Sequence, residues 1–220
     1  MNGAPLALAL DWRLTTDAAR VHALHSSVIA QLPAGMVRPD PISHFETNMG
    51  EQGQTLGCFL DDGTLVAYGV VGLRSHNVSH VAQLVDADLA RFCVLDGAAS
   101  LPEWRGYGLH LSVIDERIRH AGLIGRSQVG ATVAPENIRS LRGLFHAGME
   151  VHNFATLYGG LARLVMCRDL RLGARRWEGV QSVATRDADG HRAALARGLR
   201  GFACSQCADG SWQIDYGIAA

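Results

Sequence analysis

The stretch LPEWRGYGLHLSVIDERIRHAG (Leu101–Gly122) sets two glycines, Gly106 and Gly108, between an aromatic-basic pair and a helical pattern. Glycine is costly inside a helix and useful just before one. The start of a helix presents backbone amides with no intrahelical partner and the positive end of a dipole. An anion can lie against them where no side chain blocks the approach. Arg105, Gly106 and Gly108 therefore read as a phosphate cradle, a cation beside bare backbone. An absence narrows the kind of cradle. All 20 basic residues are arginine. Without lysine there is neither a Schiff base nor a P-loop, which needs Gly-Lys-Ser/Thr. A dinucleotide fingerprint fails as well, because Leu111 stands where a third glycine or alanine is required and the expected downstream acid is missing.

Other chemistry-bearing spacings are weaker. His22-x-x-His25 and His76-x-x-x-His80 resemble metal spacings, but no acidic or cysteine partners are evident beside them, and they read as surface and loop histidines. Cys204-x-x-Cys207 has no second pair to complete a zinc site. Arg168, Arg171, Arg175 and Arg176 form a basic run that reads as a solvated linker face.

The cradle needs elements to hold it. Leu8–Thr15 reads as a strand. Thr16–Leu32 reads as a helix that Thr16 can cap, with Ala19, Val21, Leu24, Val28 and Leu32 as its stripe. Residues 33–55 read as a mobile loop with short helical pieces. TLGCFLDDGTLVAYGVVGLR is a hairpin turning at Asp61-Asp62-Gly63. His76–Asp88 is polar and ambiguous. LARFCVLDGAASL is a long buried strand with Gly97 as a bulge. In the helix after the cradle, Leu109, Val113, Ile114, Ile118 and Ala121 can face inward, and Asp115, Glu116, Arg117 and Arg119 outward. SQVGATV is a strand, ENIRSLRGLFHAGM a helix ended by Gly148, and VHNFATLYGG and LARLVMCRDL a closing strand pair. The strand–helix–strand unit over 89–133 predicts a parallel crossover among antiparallel hairpins. The expected architecture is α/β (α+β), a mixed, mostly antiparallel sheet flanked by helices. No internal repeat is legible.

Composition fits this reading. A chain of 220 residues with 48% hydrophobic and 19% charged residues supplies a sizeable core. A net charge of −1 gives no field that recruits nucleic acid or an anionic membrane. The apolar start, Leu6–Leu10, is too short for a signal peptide, and no run approaches the ~18 apolar residues of a membrane span. Five scattered cysteines, an odd number, fit reduced thiols in the cytoplasm.

LPEWRGYGL resembles the pyrophosphate loop of the GNAT N-acetyltransferase superfamily, Arg/Gln-x-x-Gly-x-Gly/Ala after a strand; Arg105 and Gly108 match, while His110 stands where glycine or alanine is usual. TVAPENIRSLRGLFHAGMEV resembles the second signature of that superfamily, a strand, Pro-x-Asn, a helix and an aromatic-x-x-Gly ending. The resemblance spans roughly residues 8–170. It implies acetyl-CoA or another acyl-CoA as co-substrate, no metal, and an amine of a small molecule or amino-acid derivative as acceptor. It implies that Leu101, Arg105, Gly106, Tyr107, Gly108, Leu109 and His110 lie along the pyrophosphate, with Asn137 and Ser140 approaching the cofactor. Many relatives carry a tyrosine acid where this chain has Phe145, which cannot donate a proton. Asp96, beside the implied thioester, is a candidate base, or equally an aspartate of a turn or bulge. Tyr158 is a candidate acid or substrate contact, or a strand aromatic packed on the core. A catalytically silent CoA-binding module is the alternative function.

Beyond the domain at 1–173, residues 174–220 read as a strand, a short helix capped by Asp187 or Asp189, and a hairpin turning at Asp209-Gly210. This appendage is too small to bury a core alone and should dock on the main domain or on a second copy. An unpaired sheet edge there makes a homodimer the expected assembly.

Overall fold

In a computed structural model of the chain, which describes residues 10–104 and 107–220, ten strands form one sheet. Asp11–Leu14 is β1, Gly53–Phe59 β2, Leu65–Gly72 β3, Phe92–Ser100 β4, Gln128–Val133 β5, Glu150–Leu157 β6, Leu161–Asp169 β7, Trp177–Ala184 β8, Arg200–Gln206 β9 and Trp212–Ala219 β10. The helices are α1 (Ala18–Ile29), α2 (Ile42–Thr47), α3 (His76–Leu84), α4 (Leu109–Leu123), α5 (Ile138–His146) and α6 (Ala188–Ala196). The spatial order is β1-β2-β3-β4-β5-β7-β6-β9-β10-β8. Among the described residues only β4 and β5 pair in parallel, as the crossover requires.

Side-chain alternation fixes the layers. Phe92 and Val94 of β4 pack under α3, and Cys93 and Leu95 face α4 and α5. On β3 every residue is buried, because α1 and α2 cover Tyr68 and Val70 while α4 covers Val66 and Ala67. Gly97 has φ +55 and is skipped by the β3 register, which passes from Gly69↔Ala98 to Val70↔Asp96; it is the expected bulge.

Three local readings change. Asp17 caps α1 in place of Thr16, accepting from the Arg20 amide at 3.0 Å. The ambiguous 76–88 segment holds α3, capped by Ser75. Arg117 does not face water. It is 5% exposed, its Nε donates to the Val113 carbonyl at 3.1 Å, and its stem lies where β3 has no side chain, at Gly69. Burial lowers its pKa to about 10, which still leaves it charged at neutral pH.

The C-terminal segment extends the same sheet. Val183, Ala194, Leu199, Ile214 and Tyr216 join the main core through Val151 and Phe154 of β6. His191, fully buried on α6, lies between the Tyr216 hydroxyl at 2.9 Å and the Thr185 carbonyl at 2.9 Å. The carbonyl can only accept, so Nε2 carries the proton and Nδ1 accepts from Tyr216. Burial lowers the His191 pKa. The folded state therefore prefers the neutral ring, and the stability tied to it is full above the unfolded value of ~6.5 and lost as pH falls below that. Chemical denaturation between pH 7.5 and 5 should show a steeper loss in the parent than in His191→Leu, by up to about 1.4 kcal/mol per pH unit. Equal slopes would refute the assignment.

Candidate active site

Pairing between β4 and β5 stops at Val94↔Gly130. The strands then part, and a cavity of about 120 Å³ opens between them. Its walls include His110 of α4, Asn137 and Ser140 at the start of α5, and, from the other face, Asp96 and Tyr158. The structure thus gathers five of the eleven sequence-predicted site residues around one space.

At the cradle end, Gly108 is the N-cap of α4 with φ +77, a left-handed conformation that favours glycine, and a Cβ there would meet nothing within 4 Å. Among the described residues nothing blocks the approach to the helix start. Arg105 and Gly106 lie outside the described residues. Tyr107 is 61% exposed and lies against Trp104, their rings 5.7 Å apart. Leu101 and Leu109 turn into the core, so any contact they make with a ligand is through backbone. His110 packs against Gly143 beside the Arg139 backbone, and among the described residues its buried Nε2 has no well-formed hydrogen-bond partner. Burial pulls its pKa down to about 4, so the ring is neutral at pH 7. The Asn137 side chain caps α5, accepting from the Ser140 amide at 3.2 Å. An open left-handed glycine and an orphaned imidazole nitrogen beside a helix start fit a polyanionic ligand with hydrogen-bonding groups behind its phosphates. A second groove continues outward from Gly108 and His110 along Arg142 and His146 of α5.

At the other end, Asp96 and Tyr158 are joined by a residue the sequence did not single out. Asn77 Nδ2 donates to Asp96 Oδ2 at 3.1 Å, and the Tyr158 hydroxyl lies 3.1 Å from Asn77 Oδ1 and 3.0 Å from Thr132 Oγ1. Tyr158 is no ordinary strand aromatic. It sits in the β6–β7 turn at φ +53, a strained conformation for a non-glycine residue. Burial raises its pKa, so the hydroxyl keeps its proton through the neutral range.

The loop before α2 closes the site. Arg38 Nε pairs with Asp40, Nη2 stands 3.5 Å from Asp96 Oδ1, and the guanidinium lies 4.6 Å from the centre of the Tyr158 ring. Burial works against its charge, but Asp96 and Asp40 outweigh burial and hold its pKa above the usual range. The loop is pinned from two sides. Arg163 donates to the Gly35 carbonyl at 2.9 Å. The Asp40 amide donates to His25 Nε2 at 3.0 Å, and His25 Nδ1 lies 2.6 Å from the Tyr68 hydroxyl. His25, half of a metal-like spacing in sequence, is a core histidine that fixes Asp40. Phe145 packs against the core.

The chain resembles solved acetyltransferases in fold. A GNAT superfamily phosphinothricin acetyltransferase from Sinorhizobium meliloti, in complex with acetyl-CoA, matches at TM-score 0.56 and 18% identity, over 74% of this chain and 89% of that one. A GCN5-related N-acetyltransferase from Kribbella flavida matches at 0.54 and 18%, over 74% and 98%. An aminoglycoside acetyltransferase in complex with coenzyme A and kanamycin matches at 0.56 and 15%, over 74% and 96%. No family model and no curated protein sequence matches the chain. The likeness establishes a mixed α/β fold of the GCN5-related type.

Proposed function

We propose, with that fold as premise, that the protein transfers an acetyl or other acyl group from coenzyme A to the amine of a small molecule or amino-acid derivative. The observation that carries the reading is the single cavity where β4 and β5 part, walled by His110, Asn137 and Ser140 and also by Asp96 and Tyr158. The first-turn amides of α4, with Arg105, Gly106, Gly108 and His110, hold the pyrophosphate. The pantetheine arm runs along the edge of β4 beyond Val94, where that strand has no pairing partner in β5.

An amine must be neutral to attack a thioester, and free amines are largely protonated at neutral pH. Asp96 receives that proton. Its two oxygens face Arg38 and Asn77, so an incoming ammonium takes the place that Arg38 holds. A strand amide within Asp96–Ala99 donates to the developing oxyanion. Tyr158, kept protonated by burial, donates to the leaving thiolate. The cytoplasm suits a chain with free cysteines, and no helix among the described residues is long and apolar enough to cross a membrane.

Turnover of acetyl-CoA against a panel of primary amines tests this directly, with release of free thiol as the readout. Turnover that depends on one class of amine is the expected result. Tight acetyl-CoA binding with no turnover on any amine would favour a silent CoA-binding module, and no binding would overturn the reading.

A further inference from the structure

The segment 178–219 repeats the segment 128–169. Helix α5 spans Ile138–His146 and α6 spans Ala188–Ala196, fifty residues on. Asn137 and Asp187 cap them alike, each accepting from the amide three residues later. Gly148 and Gly198 end them alike, at φ +73 and +80. The next amides, of Met149 and Leu199, return to the carbonyls of Leu144 and Ala194. The strands obey the same spacing. Val133↔Leu164 in β5–β7 becomes Val183↔Ile214 in β8–β10. Val151↔Met166 in β6–β7 becomes Gly201↔Tyr216 in β9–β10. Even the irregularity recurs, since His152 is skipped between Val151 and Asn153, and Phe202 between Gly201 and Ala203.

Sequence hides the repeat. At this spacing 128–169 and 178–219 share only the pairs Val133/Val183, Ala134/Ala184, Arg142/Arg192, Gly148/Gly198 and Gly160/Gly210. What survives is the helix-ending glycine, a glycine of the last turn, an arginine and the end of the first strand.

The two units are arranged about a two-fold axis. The order β5-β7-β6 is followed by its reverse, β9-β10-β8. The equivalent strands β6 and β9 meet antiparallel, with Val151 opposite Gly201, its own counterpart. Each helix crosses the join, α5 packing on β9 and α6 on β6. Arg142 lies over Trp212 and Arg192 over Phe154, so the equivalent arginines reach aromatic rings of the opposite unit. Self-complementary contact of this kind is how two identical subunits associate.

We infer that residues 178–219 are a second copy of the 128–169 unit acting as a built-in partner subunit, filling the β6 edge where another chain would otherwise pair. Among the described residues the copy has no counterpart of β4 or α4 beside β8, which ends the sheet, and Asp187 sets a carboxylate at the helix start where Asn137 stands in the first unit. It offers no second cofactor site. Its work is to back α5, whose first turn forms a wall of the cavity. The sequence predicts a homodimer through an unpaired edge of the appendage and closing strands; on this inference the β6 edge is already filled by β9, and the chain is a monomer.

Two measurements on the full chain test this, neither involving coenzyme A. Light scattering at tens of micromolar should give a single-chain mass of 23.6 kDa; a two-chain mass would overturn the built-in partner. The second uses the axis. A Cβ at Gly201 would meet the Val151 Cβ at 2.9 Å. Gly201→Val should therefore lower Tm by at least about 5 °C or leave no soluble protein. Exchanging the residues, Val151→Gly with Gly201→Val, should recover at least half of the loss, since the valine then fills the same join from the other side. An unchanged single variant, or a double variant no better than the single, would overturn the two-fold relation.

Discussion

Gly108→Val folds and loses acetyl-CoA, binding it at least about 100-fold more weakly than the parent, or about 2.7 kcal/mol. Two effects add. Gly108 is left-handed at φ +77, where a β-branched residue is strongly disfavoured, so the loop shifts to relieve strain of about 1–3 kcal/mol. The isopropyl group also enters space that is open in the parent and that phosphate oxygens need in order to reach the helix amides. Gly108→Asn separates the two, because asparagine tolerates the left-handed region while still adding a side chain. Calorimetric titration of the three proteins, with circular dichroism as the folding control, decides the matter. Arg105→Ala should cost less, about 1–3 kcal/mol for one charge-assisted contact. A folded Gly108→Val protein that binds like the parent would reduce the cradle to a turn before a helix.

Tyr158→Phe should lower kcat about 100-fold or more while leaving acetyl-CoA affinity within a few-fold of the parent. The substitution keeps the ring under Arg38 and removes only the hydroxyl that faces Asn77 and Thr132. Asp96→Asn should act similarly. An asparagine still accepts from Asn77 but cannot take a proton from an ammonium group. Because burial raises the Tyr158 pKa, the hydroxyl keeps its proton through the neutral range, and a parent rate that does not fall on the alkaline side of neutrality is expected of it as the acid. Unchanged turnover in both variants would leave proton movement to water.

The sequence disclosed what local rules govern. Asp61-Asp62-Gly63, the Gly97 bulge and the Gly148 terminus each follow from the backbone conformations and hydrogen bonds those residues favour, and each stands where expected. The site was only half legible for the complementary reason. Arg38 and Asp40 reach Asp96 through a loop whose path is set by His25 and Arg163, far away in sequence. Asn77 lay in a segment set aside as polar, although Ser75 followed by Val78, Val81 and Ala82 carries a cap and a helical stripe. Arg117 looked like a solvent residue because arginine on an amphipathic helix usually is one; only the missing side chain at Gly69 makes room for it inside. The repeat stayed hidden because a fold constrains capping, register and volume more tightly than residue identity.

The parting of β4 from β5 bears on the unfolding of the whole chain. Three residue pairs, from Phe92↔Gln128 to Val94↔Gly130, are all the ladder between four strands on one side and six on the other. Side chains carry the rest of that join, since the apolar clusters around Cys93, Leu95 and Val129 and around Phe92, Val94 and Val165 run across it. A ligand arm along the β4 edge would lengthen the bridge, and acyl-CoA would then stabilise both flanks by mass action.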